Sequence, residues 1–359
     1  MAHTTLASGP IRTALVGFGI AGQVFHAPLL AHDTRYQLNV IVTRDAARVQ
    51  AAQQRYPQAR ILADWESLLQ QIDSGEAQID LIVLATPPAQ HARQAHDASA
   101  RAIHLVVDKP FAASAAQAEQ MIAEAEQART LLTVFHNRRW DGDFLTLKRL
   151  LAEEAAGKVR TFESRFEWWR PQGFGNWRDR ATLAEGGGLL LDLGSHLIDQ
   201  AIQLFGPVRE ASAELVRYSA ASLSDSDEES FVSLLHENGV RSRLWMNGMA
   251  ARPAPRFHLL GSRAAFTNWE LDNQEPALAA GMRPDDAAYG VTPPAQWGML
   301  GQGEEIQAVP AERGNYPAFY AQLAHALLDG DAPPVETHEA LTVLRLIDDL
   351  HARFPVRNA

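Results

Sequence analysis

The chain of 359 residues contains no cysteine, which excludes disulfides, thiolate metal sites and a cysteine nucleophile, and which suits a reducing compartment without proving one. It also lacks any apolar run near the ~18 residues that a membrane span requires, and its mean hydropathy is −0.20. The first ten residues, MAHTTLASGP, lack the charged-then-apolar order of a signal peptide and hold no twin arginine, so they read as a loose leader. Cytoplasm is the default expectation. There is no dense basic patch, and a formal net charge of −11 argues against a nucleic-acid surface. Neither an internal repeat nor a zinc-ligand spacing occurs, and the carboxylates of Ser222 to Glu229, SLSDSDEE, follow no EF-hand pattern; that stretch reads as a solvated acidic loop, and no metal is expected. What remains is the composition of a soluble globular protein, 46% hydrophobic and 21% charged, long enough for two domains and suited to a small-molecule partner.

Against that background, Ile11 to Leu30 (IRTALVGFGIAGQVFHAPLL) stands out as a short buried strand, a glycine turn and the opening of a helix. Gly17, Gly19 and Gly22 give the spacing G-x-G-x-x-G. Gly17 permits the tight turn, Gly19 lets the backbone approach a pyrophosphate, and Gly22 lets the helix pack on the strand. The helix N-terminus would face the phosphates. Phe18, Ile20 and Ala21 between the glycines are then cofactor-lining candidates. A structural glycine turn is the plainer alternative.

Strand and helix continue to alternate: strand Tyr36 to Val42, helix Ala46 to Tyr56, a short strand near Ile61, helix Trp65 to Gln71, strand Leu81 to Ala85, strand Ile103 to Val107, helix Ser114 to Ala128 and strand Leu131 to Phe135. This is the doubly wound parallel pattern. At the tip of the second strand, an NAD-selective fold places an acid for the ribose 2′-hydroxyl, yet here Thr43 and Arg44 come first. A guanidinium suits a 2′-phosphate, so NADP is favoured, with NAD open if Asp45 is the ribose contact. Thr86-Pro87-Pro88 breaks the chain after the fourth strand, and His91 begins the next helix. These read as nicotinamide-side lining, with His91 equally readable as an ordinary helix-start residue. Asp108-Lys109-Pro110 follows a buried strand, where the Lys109 ammonium either reaches a substrate hydroxyl or lies solvated in a turn.

A boundary near residue 136 separates a domain of residues 1–135 from one of residues 136–359. Beyond it come a helix from Phe144 to Leu151 and strand-like runs at Thr161 to Trp169, Val208 to Tyr218, Ser230 to His236, Val240 to Met246, Phe257 to Leu260 and Ala264 to Thr267. These predict a mostly antiparallel sheet. Too few helices follow to cover both its faces, so one face is expected to form a homo-oligomer interface. Ala279 to Gly303 reads as an irregular excursion, and Tyr316 to Leu328 and Glu336 to Phe354 as helices. Between the first of these strands and the rest, GGGLLLDLGSHLIDQ leads into a helix with Asp192 and His196 four residues apart, on one face and roughly 6 Å apart along the axis. Asp199 and Gln203 extend the stripe. It is either the wet side of an amphipathic helix or a site.

With these motifs quoted, the chain resembles the Gfo/Idh/MocA oxidoreductases over nearly its whole length. GFGIAGQVFHAPLL, FHNRRWDGDF and GGGLLLDLGSHLIDQ look most like the branch that contains NADP-dependent scyllo-inositol dehydrogenase. The resemblance implies a Rossmann domain followed by an α/β domain with an open-faced sheet used for dimers or tetramers. It also implies catalytic roles for Lys109, Asp192 and His196, and often a cis bond at the Lys109-Pro110 step. Asp108 departs from the family by replacing its usual glutamate. The implied reaction is metal-free hydride transfer between a polyol or sugar and NADP, with His196 as base, Lys109 stabilising the alkoxide and Asp192 orienting. Asn137, Arg139, Trp168 and Arg170 are candidates for gripping the other hydroxyls. An inositol leads, with another cyclitol or a sugar as alternative. Two readings from other classes remain on the same fold: a non-redox NADP(H)-binding sensor or subunit, and a lyase or glycosidase that retains its nicotinamide.

Overall fold

The structure, a computed structural model, describes residues 3–219 and 224–359; Ser222 and Leu223 of the acidic stretch lie outside the described residues. Six strands, β1 (Ile11–Val16), β2 (Tyr36–Val42), β3 (Arg60–Leu62), β4 (Leu81–Leu84), β5 (His104–Asp108) and β6 (Leu132–Phe135), form a parallel sheet in the order β3-β2-β1-β4-β5-β6. All of β4 and most of β5 are fully buried, as strands covered on both faces must be. The order reverses between β1 and β4, which opens a crevice beyond their C-terminal ends. Three of the helices between these strands start where the sequence supplies caps: Asp45, Asp64 and Ser114 each accept a backbone N–H from the first turn.

The second sheet has nine strands: β7 (Thr161–Glu167), β8 (Val208–Arg217), β9 (Glu229–His236), β10 (Arg241–Asn247), β11 (Phe257–Leu260), β12 (Ala265–Asn268), β13 (Gly298–Gln302), β14 (Glu305–Val309) and β15 (Arg357–Asn358). Their order is β14-β13-β12-β11-β7-β10-β9-β8-β15, antiparallel except at β7–β10 and β8–β15. Alternation decides its faces. Phe162, Ser164 and Phe166 of β7 point inward, onto a core shared with the helices Gly194–Phe205 and Thr337–Arg353. Thr161, Glu163, Arg165 and Glu167 point the other way and are only half-buried. On that outer face, Phe231 and Trp245 have ring centroids 5.0 Å apart, and the Arg165 guanidinium lies 3.9 Å from the centre of the Trp245 ring.

Three features differ from the sequence expectation. The hairpin β13–β14 lies partly inside the stretch read as irregular, because its glycines conceal the alternation: a Cβ on Gly298 would come 2.3 Å from the Phe266 ring. The helix Pro317–Asp329 follows β14 of the second sheet in sequence but packs on the first sheet. Tyr36 donates its hydroxyl to the Tyr320 carbonyl at 2.7 Å, and Tyr316, Phe319, Tyr320 and Leu323 join Leu15, Val83 and Phe135 in one core. The expected single helix carrying Asp192 and His196 is two, Leu189–Asp192 and Gly194–Phe205, broken at Leu193. Among the described residues, no helix is long and apolar enough to cross a membrane.

Candidate active site

A cleft of ≈ 1160 Å³ runs along the C-terminal edge of the first sheet and is closed on its far side by the second sheet and its loops. At one end lies the glycine turn. Gly17 has φ +96°, and a Cβ there would come 2.5 Å from the Ala85 carbonyl; a Cβ on Gly22 would come 2.2 Å from the Gly17 carbonyl. Gly19 differs, since its added Cβ would meet nothing nearer than Arg48 at 4.0 Å. The turn therefore packs through its first and third glycines and opens through its second, leaving a cradle of bare backbone on the cleft wall. Phe18, Ile20 and Ala21 line the same wall. The chain then winds through a π turn, Ala21–His26, before the helix Ala27–His32.

Thr43, Arg44 and Arg48 line the cleft at the β2 tip, with both guanidinium groups on the exposed surface. Asp45 is occupied otherwise: its carboxylate accepts the Arg48 N–H at 3.0 Å and caps the helix Ala46–Arg55.

The opposite end holds the ionisable groups. Lys109 follows β5, its bond to Pro110 is cis, and its Nζ donates to Asp192 Oδ1 at 2.9 Å and to the Asp192 carbonyl at 3.1 Å. Arg178 approaches the same carboxylate, Nε to Oδ2 at 2.7 Å and a terminal nitrogen to Oδ1 at 3.2 Å. Burial opposes ionisation of Asp192, but these two cations outweigh it and hold its carboxyl well below the usual range. His196 shares the cleft wall and is 4% exposed. Burial, reinforced by the charges of Lys109 and Arg138, pushes its imidazole well below its ordinary pKa, so the ring is neutral near pH 7. Among the described residues its Nδ1 is buried without a partner, leaving Nε2 as the nitrogen open to the cleft.

Two family models match this architecture, an oxidoreductase family with an NAD-binding Rossmann fold over residues 11–136 and the GFO/IDH/MocA C-terminal domain over residues 144–267. The chain belongs to the Gfo/Idh/MocA family. Among its Gfo/Idh/MocA relatives, scyllo-inositol 2-dehydrogenase (NADP(+)) IolW of Bacillus subtilis is 30% identical over 94% of this chain and 92% of its own. The oxidoreductase YdgJ of Escherichia coli is 36% identical over 95% of each chain. The solved structure of YPO2259 from Yersinia pestis is 35% identical and superposes with a TM-score of 0.84, covering 96% of this chain and 94% of that one. Membership makes the protein an NAD(P)-dependent dehydrogenase, and the residues present fit a nicotinamide dinucleotide: the close packing at Gly17 and Gly22 shapes the turn, and the bare backbone at Gly19 leaves the cradle open to a pyrophosphate.

Set against the sequence candidates, the Gfo/Idh/MocA cleft brings together Thr86, Pro87, Lys109, Asn137, Trp168, Arg170, Asp192 and His196 with the glycine turn. Gly22 sits behind the turn as packing. Two further candidates do not reach the cleft. His91 is fully buried, with Nδ1 3.1 Å from the carbonyls of Pro110 and Phe111 and Nε2 2.8 Å from that of Thr86, so it braces two site loops from behind. Arg139 turns away to Asp199, at 2.8 Å through Nε, and to Glu339 at 2.7 Å. Its neighbour Arg138 lines the cleft instead. Asp199 and Gln203 belong to that same buried network, so the polar stripe is not a wet face. Sequence reasoning missed Arg178, Arg138 and Arg48. Arg178 had only a Trp-Arg-Asp cluster in a Gly-rich loop as its signal.

Proposed function

We propose that this dehydrogenase oxidises a ring hydroxyl of a cyclic polyol or sugar, with a cyclitol such as scyllo-inositol first among its substrates, uses NADP and needs no metal. The observation that carries the reading is the Asp192 carboxylate held between Lys109 and Arg178 beside a neutral His196, at the end of the cleft away from Arg44 and Arg48.

When bound, NADP supplies the hydride acceptor. His196 takes the hydroxyl proton on Nε2, for which its neutral ring is prepared. The Lys109 ammonium, aimed by Asp192, stabilises the oxygen as negative charge develops on it. Asn137, Arg138, Trp168 and Arg170 offer polar contacts and an aromatic wall to the remaining hydroxyls. The similarity to a B. subtilis enzyme named for scyllo-inositol and NADP(+) supports the substrate and cofactor together. Arg44 and Arg48 at the ribose end, with Asp45 committed to its helix, support NADP over NAD. The half-buried outer face of the second sheet, with Phe231 and Trp245 on it, supports a homodimer or homotetramer. A division into residues 1–135 and 136–359 fits the two sheets, and the need to recycle NADP(H) favours the cytoplasm.

A panel of inositols, aldoses and their keto forms, assayed for NADPH and NADH absorbance, tests the reading. Turnover of a cyclitol with NADP is expected. NADPH binding without turnover of any polyol would return the protein to a sensor role, and elimination products without net NADPH would make it a lyase.

A further inference from the structure

The imidazole of His26 has no place in the reaction above, yet it is fully buried at the end of the π turn and directed at the reactive end of the cleft. Its Nδ1 is 2.7 Å from the Tyr320 hydroxyl. Its Nε2 is 3.6 Å from Asp108 Oδ1, just beyond hydrogen-bond length, and has no hydrogen-bond partner among the described residues. Asp108 ends β5, lines the cleft and immediately precedes Lys109.

A carboxylate accepts and cannot donate, so the nitrogen that faces it is best occupied as N–H. That assignment leaves Nδ1 with a lone pair, and the Tyr320 hydroxyl is placed to donate to it. Tyr320 is held in turn, because Tyr36 donates to its carbonyl and its ring packs on Phe135, which also lines the cleft. A donor buried without an acceptor is unfavourable, and Asp108 is the carboxylate that faces it.

We propose that His26 is a positioning residue: clamped at Nδ1 by the Tyr320 hydroxyl, it presents Nε2–H to Asp108 and so holds the strand end that delivers Lys109. The helix Pro317–Asp329 thereby takes part in the geometry of a cleft that none of its own residues lines.

The first test needs no turnover. With ¹⁵N-labelled histidine in the full chain, the His26 resonances are picked out from those of the 13 histidines by comparison with His26→Gln. A proton on Nε2 and a lone pair on Nδ1 are expected, shifting toward a mixture in Tyr320→Phe; a proton on Nδ1 in the wild type would overturn the proposal. The second test rests on the dehydrogenase reading. His26→Phe and Asp108→Asn should each lower kcat by about 10-fold to 100-fold, the scale of a small misplacement, while NADPH affinity stays within about threefold. The double variant should be no worse than the poorer single one. His26→Gln, whose amide nitrogen can stand where Nε2 stands, should stay within about threefold of wild type. Losses that multiply in the double variant would make His26 a packing residue and sink the idea. A wild type inert toward every polyol would defeat the functional reading instead and leave the tautomer to decide this one.

Discussion

Arg178 and Lys109 converge on the Asp192 carboxylate, Arg178 Nε at 2.7 Å from Oδ2 and Lys109 Nζ at 2.9 Å from Oδ1, the oxygen that a terminal nitrogen of Arg178 also reaches at 3.2 Å. A carboxylate with 6% side-chain exposure is thus neutralised twice, by one cation from the first sheet and one from a loop of the second part of the chain. Removing Arg178 leaves Lys109 as the one cation hydrogen-bonded to it among the described residues. Arg178→Leu is therefore expected to lower kcat/KM for the polyol by about 10²-fold, comparable to the loss of one fixed charge at a reacting centre, with NADPH affinity unchanged by fluorescence titration. Near wild-type kinetics would reduce the pair to a loop anchor.

Lys109→Ala, Asp192→Asn and His196→Ala should each cost about 10²–10⁴-fold in turnover while NADPH still binds. Their combined loss should fall well short of the product of the single ones, because a site missing one member gains little from the others. Steady-state kinetics of the single and double variants decide this.

The pH profile follows from His196. Its folded-state pKa lies well below the ordinary value, so the base is already unprotonated as pH rises toward 6.5, and the acid limb of kcat/KM is expected below about pH 6.5. His196→Ala should abolish that limb. A limb that persists in the variant would transfer the proton to another group.

Cofactor choice is tested at Arg44 and Arg48. Each alanine variant should weaken NADP by about tenfold, or ~1.4 kcal/mol, and leave NAD nearly unchanged. Asp45→Ala should cost about 1 kcal/mol of stability through its lost cap and not alter the NADP/NAD ratio, measured by calorimetric titration. A variant that loses NAD binding would make Asp45 a ribose contact after all.

Stability carries its own pH signature at Asp143. Burial pushes this carboxyl up to about 6, against the pull of Arg256 and with a further push from Asp272. The unfolded value is near 3.9, so between those values the folded chain holds a proton that the unfolded chain has released. By linkage, this group's contribution to stability declines as pH rises from about 4 to about 6. Urea unfolding across that window should show a less negative slope in Asp143→Asn than in wild type; parallel slopes would show that Asp143 titrates normally.

The glycine turn, the Lys109 step and the Asp192 and His196 pair were legible because each lies beside a local signal: a spacing, a break after a buried run, a glycine stretch opening a helix. His91 and Arg139 misled for a common reason. A helix or tight turn rotates by about 100° per residue, so whether Arg138 or Arg139 faces the cleft is decided by what the element packs against. Arg139 found Asp199 and Glu339, the latter from the helix Thr337–Arg353, a partner 200 residues away.

By itself the sequence determined the alternating parallel sheet, the antiparallel one after it, the glycine cradle and the lysine at the sheet edge, since each of these is written in neighbours a few positions apart. Only the tertiary structure decided that Arg178 docks on Asp192, that Asp45 caps the helix Ala46–Arg55, that His91 turns inward and that the Pro317–Asp329 helix returns to the first sheet. The physical reason is that burial is a property of the assembled core: a polar side chain reveals its role through the charge or carbonyl that compensates its lost water, and that partner stands far away in the chain.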